Sequence, residues 1–124
     1  MIKETADALV ATGLRDLGYT FVNLDGGWPM GRNRTNGRLV PDPSRFPGGI
    51  RSLADYVHAR KLKLGIYTAR SQWSCDGTPG SYSFEAVDAD TICDWQVDYL
   101  KIDNCGGCGR RCVLQRSLSH LVFC

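Results

Sequence analysis

Residues 97–103 read VDYLKID, and the turn-forming NCGG follows directly behind them. The β-branched and aromatic run predicts a strand. Alternate side chains of a strand point to opposite faces, so Tyr99, Lys101 and Asp103 share one face and Leu100 and Ile102 the other. The aliphatic face suits a layer of helices. The face with an ammonium and a carboxylate near its C-terminal end needs solvent or a ligand.

The same design occurs twice upstream. YTFVNLD (19–25) puts Tyr19, Phe21, Asn23 and Asp25 opposite Val22 and Leu24, and KLKLGIYTA (61–69) puts Lys63, Gly65 and Tyr67 opposite Leu62, Leu64 and Ile66. Each run follows a segment of helical spacing. Residues 5–18 carry Ala6, Leu9, Val10, Leu14 and Leu17 on one stripe and end at Gly18. Residues 50–60 would bury Ile50, Leu53, Ala54 and Val57, and residues 84–96 would turn Val87, Thr91 and Trp95 to one side. Helix then strand, three times over, predicts an α/β fold with a parallel sheet. Residues 26–49 read as one long loop rich in turn residues, a length usually tied to function.

A chain of 124 residues with 43% hydrophobic and 23% charged residues reads as globular protein. Its formal net charge of +2 is too small to argue for nucleic acid or an anionic membrane as partner. No apolar run reaches the length of a membrane span, and MIKETADALVATG lacks the layout of a signal peptide. Six cysteines and an Asn33-Arg34-Thr35 sequon nevertheless fit a secretory compartment, with Asn33 as a glycosylation candidate. That conflict is resolved if the natural N-terminus lies upstream of Met1.

In parallel α/β folds, ligands bind at the carboxyl ends of the strands. Asp25, Tyr67, Lys101 and Asp103 all fall there, on three successive strands. Taken singly, each has a structural reading: Lys101 and Asp103 an ion pair, Asp25 a turn residue, Tyr67 core. Taken together, two carboxylates, an ammonium and a phenol at one mouth can grip several hydroxyls and deliver a carboxylate nucleophile.

Cys105-x2-Cys108-x3-Cys112 has a superficial metal-ligand spacing, but it lacks a matching second pair and a nearby histidine, so no metal is expected. Cys75 and Cys105 would tie two loops at the mouth if their strands are neighbours. Cys93, within the third helix, reads as a buried free thiol.

GLRDLGYTFVNLDGGW, GRLVPDPSRFPGGIRSLADYVHARKLKLGIYTA and VDYLKIDNC closely resemble the melibiase-type α-galactosidases, the glycoside hydrolase family that also contains the α-N-acetylgalactosaminidases. The resemblance covers residues 6–105. It implies a partial (β/α)8 barrel running from the first helix through the fourth strand, over residues 1–107, with a divergent tail over 108–124. About 250 residues make such a barrel, so 124 leave it unclosed.

By the same resemblance Asp103 matches the catalytic nucleophile, and Lys101, Asp25 and Tyr67 match residues lining the galactose site. Cys75 and Cys105 match a family disulfide. The substrate implied is a terminal α-galactoside on an oligosaccharide or glycoconjugate, with no cofactor, and the implied location of the intact protein is secreted or vacuolar/lysosomal. The family pattern Asp-Asp-Cys-Trp appears here as Asp25-Gly26-Gly27-Trp28, which removes a second sugar-binding carboxylate and a half-cystine. The family's acid/base lies on a later strand, so the chain alone is expected to be inactive. An α-N-acetylgalactosaminidase, or a non-catalytic sugar-binding remnant, is the alternative.

Overall fold

The computed structural model describes residues 1–105; the tail over 108–124, with Cys108, Cys112 and Cys124, lies outside the described residues. Three parallel strands form the main sheet: β1 (Phe21–Leu24), β4 (Lys63–Ala69) and β5 (Tyr99–Asp103), in the order β1-β4-β5. Each is preceded by a helix: α1 (Ile2–Ala11), α2 (Gly49–His58) and α3 (Glu85–Asp94). This is three helix-strand units of a (β/α)8 barrel, with the sheet left open.

The register pairs Leu24 with Ile66, Tyr67 with Lys101 and Ala69 with Asp103, so β4 and β5 end level and β1 ends opposite Ile66. Val22, Leu24, Leu64, Ile66 and Leu100 are buried on the helix side, where Ile50, Leu53, Ala54 and Val57 of α2 meet them. Each such valine, leucine or isoleucine contributes about 1.5–3 kcal/mol when fully buried. At the opposite end of the sheet, Asp98 accepts from the Leu64 N–H at 2.8 Å and meets His58 Nε2 at 2.7 Å. In barrels of this type that end serves stability.

Four departures from the sequence reading have local causes. The first helix stops at Ala11 because Gly13 turns left-handed (φ 76°), and Leu14–Leu17 form a 3-10 turn that leaves Leu17 76% exposed. The long loop contains an antiparallel hairpin, β2 (Pro29–Arg32) with β3 (Leu39–Pro41). The third helix buries Asp88, Thr91 and Ile92 rather than a Val87-Thr91-Trp95 stripe. A carboxylate there is tolerated because Arg32 grips it with two bonds of 2.6 Å. Cys93 is half-buried rather than buried, and disulfide-bonded rather than free.

Candidate functional site

The carboxyl ends of β1, β4 and β5 bring together all four residues that strand alternation singles out. Lys101 is the centre. Its Nζ lies 3.1 Å from Asp25 Oδ2, 3.8 Å from Asp103 Oδ2 and 4.9 Å from the centroid of the Tyr67 ring. Both carboxylates are held the same way. The Gly26 N–H donates to Asp25 Oδ1 at 2.8 Å and the Asn104 N–H to Asp103 Oδ1 at 2.7 Å, so each presents its Oδ2 to the lysine.

These contacts set the charges. The Gly26 N–H and the Lys101 ammonium hold the Asp25 carboxyl below the usual carboxylate range, and the Asp25 hydrogen bond raises Lys101 above an ordinary lysine. Burial pushes the Tyr67 phenol up, and it stays neutral. Lys101 and Asp103 remain open to solvent, with side chains 47% and 39% exposed. The mouth therefore offers fixed donors and acceptors to a polyhydroxyl ligand, with an accessible carboxylate among them.

The floor is rigid. Trp28, 1% exposed, donates from Nε1 to the Tyr67 carbonyl at 2.8 Å, and Tyr67 itself is 4% exposed. The expected Cys75–Cys105 disulfide is present, its Cα atoms 4.9 Å apart, and Tyr67 Oη donates to Cys105 Sγ at 3.7 Å. Cys75, Cys105 and Asp103 gather three potential ligand atoms within 4.8 Å, but both sulfurs are consumed by the disulfide and are not thiolates.

One residue at the mouth escapes sequence reading. Asp76, one position after Cys75, turns Oδ2 toward Gly26. In sequence it sits in CDGTPG, where an aspartate before a glycine signals only a turn, and nothing local points to Gly26 as its neighbour. Asn33 lies exposed at the end of the hairpin, its Oδ1 accepting from the Thr35 N–H at 2.8 Å.

The family model described as "Alpha galactosidase A" matches residues 1–116. The α-galactosidase 3 of Arabidopsis thaliana is 53% identical over 109 residues, and an α-galactosidase of Oryza sativa is 52% identical over 111. These alignments take in 88% and 89% of this chain but only 25% and 27% of the relatives. Among solved structures, an α-galactosidase from Saccharomyces cerevisiae with raffinose superposes with a TM-score of 0.85 at 38% identity, over 88% of this chain and 24% of that one. The chain thus spans about a quarter of the length of its curated relatives. By its matched residues, its helix-strand order and its overall superposition, it belongs to the α-galactosidase A family of glycosidases.

Proposed function

We propose that the protein carrying this chain is a retaining glycosidase that releases terminal α-linked galactose, with Asp103 as its nucleophile. The observation that carries this reading is the placement of Asp103 at the end of a parallel strand, half-buried, with one oxygen fixed by the Asn104 N–H and the other 3.8 Å from Lys101. A carboxylate so held keeps its orientation while remaining available to an anomeric carbon. Attack forms a covalent glycosyl-enzyme, and a second carboxyl group about 5 Å away first protonates the leaving oxygen and then activates water. That acid/base is assigned to a strand outside these residues.

Asp25 accepts from sugar hydroxyls, Lys101 donates to them, and Tyr67 walls the pocket beside the nucleophile. The substrate class follows the α-galactosidases that this chain resembles at about half identity. The sequon at the exposed Asn33 and the Cys75–Cys105 disulfide support a secreted or vacuolar/lysosomal location, with Asn33 glycosylated. No helix among the described residues is long and apolar enough to cross a membrane.

The test is hydrolysis of p-nitrophenyl α-galactoside by the intact protein. Asp103→Asn is expected to abolish p-nitrophenol release with the melting temperature unchanged, and near-normal turnover in that variant would remove Asp103 from its role. The 124-residue chain alone is expected to release none, because general acid catalysis worth about 10²- to 10⁴-fold is missing.

A further inference from the structure

A side chain at Gly26 would meet the end of another side chain, not a restriction of its own backbone. Its φ is outside the left-handed region, yet a Cβ added there would stand 2.6 Å from Asp76 Oδ2, 3.2 Å from Asp76 Cγ and 3.6 Å from Tyr67 Cε1. A carboxylate from the loop after β4 therefore fills the space into which a side chain at position 26 would project. That space adjoins Tyr67 on one side and Asp25 on the other.

The two oxygens of Asp76 have separate work. Oδ1 shapes the loop: the Ser74 hydroxyl, the Thr78 hydroxyl at 2.8 Å and the Thr78 N–H at 3.1 Å all donate to it. Oδ2 is the atom nearest Gly26, and the residue as a whole is exposed. Burial opposes ionisation of this carboxyl, but the bonds from Ser74, Thr78 and the Gly27 backbone outweigh it and hold the group below the usual carboxylate range. Its charge is felt by both Asp25 and Tyr67, so it belongs electrostatically to the same mouth.

We infer that Asp76 is a further sugar-hydroxyl acceptor of this mouth, its Oδ2 standing in the room that Gly26 leaves free. The inference rests on the galactoside reading and adds a residue to it. An ionised carboxylate with one oxygen bonded within its own loop and the other beside the Gly26–Gly27 backbone is held in place, and a carboxylate oxygen has lone pairs enough to accept a ligand hydroxyl as well as a backbone N–H. Gly26 and Asp76 then form a matched pair: a larger residue at 26 displaces the carboxylate, and a smaller one at 76 leaves a hole.

Calorimetric titration of the intact protein with galactose tests this. Asp76→Asn retains an oxygen for the Ser74 and Thr78 donors and removes the charge, and it is expected to weaken galactose binding about tenfold to a hundredfold with little change in melting temperature. Asp76→Ala is expected to lose at least as much, and Gly26→Asp in that background to regain part of it, the new carboxylate entering the vacated space. Gly26→Asp alone is expected to weaken binding, because two carboxylates would compete for one position. If Asp76→Asn binds like the parent while Lys101→Ala weakens binding, the inference is overturned and the galactoside reading stands. A parent protein that binds no galactose overturns both.

Discussion

Lys101 touches three groups of different character: a carboxylate at hydrogen-bond distance, a second carboxylate slightly farther off, and an aromatic face. Its pairing with Asp25 has a definite pH sense. A carboxyl held below its ordinary value contributes in full above that value and loses its contribution as the pH falls through the lowered one. A lysine raised above its ordinary value keeps its proton further into alkali. Galactose affinity of the intact protein is therefore expected to be insensitive to this pair between about pH 5 and 9, and to fall below about pH 4. A loss beginning above about pH 5 that vanishes in Asp25→Asn would contradict this sign. At this scale, much of the site was readable before any coordinates. Asp25, Tyr67, Lys101 and Asp103 lie on the polar sides of three strands, and a period of two is enough to align them. Asp76 was not readable, because its relation to Gly26 is one of space between two loops.

The elements divide in the same way. Helix α2 follows its periodicity without exception, since Ile50, Leu53, Ala54 and Val57 are its buried residues and all four are apolar. Helix α3 does not, because one of its buried residues is charged and the partner comes from the β2–β3 hairpin. Arg32 is bonded to Asp88 through both nitrogens, to the Gly37 and Gly80 carbonyls at 2.8 Å, and lies over the Phe84 ring with its guanidinium carbon 4.2 Å from the centroid. This one side chain fastens the hairpin to α3 and to the loop after β4. The hairpin itself was hidden by brevity: PMGR and LVP are too short and too rich in proline and glycine to read as strands. Asp88→Ala would leave the part-buried Arg32 guanidinium with two carbonyls and no counter-charge, and a loss of about 2–4 kcal/mol is expected from urea unfolding. A loss below about 1 kcal/mol would mean that the pair is in effect a surface one.

In the molecule as a whole, β1 and β5 are the outer strands of the described sheet, and the face opposite the helices exposes Tyr19 at 63% and Phe21 at 45%. Open edges beside exposed aromatic surface promote association. The isolated 124-residue chain is expected to self-associate as its concentration rises, as read by light scattering, and a monodisperse monomer at high concentration would contradict this. The Cys75–Cys105 bond bears on how such a sheet reaches its native pairing. A slip of β5 by one residue along β4 would shift it about 3.3 Å and turn every side chain to the other face. Lys101 and Asp103 would then point into the helix layer, and Cys105 would turn away from Cys75. A disulfide needs its Cα atoms within roughly 7 Å and its Cβ atoms facing, a geometry that the native pairing supplies with Cα atoms 4.9 Å apart. The bond thus goes with the alignment in which the charged residues face the mouth, and once formed it holds the ends of β4 and β5 to that alignment.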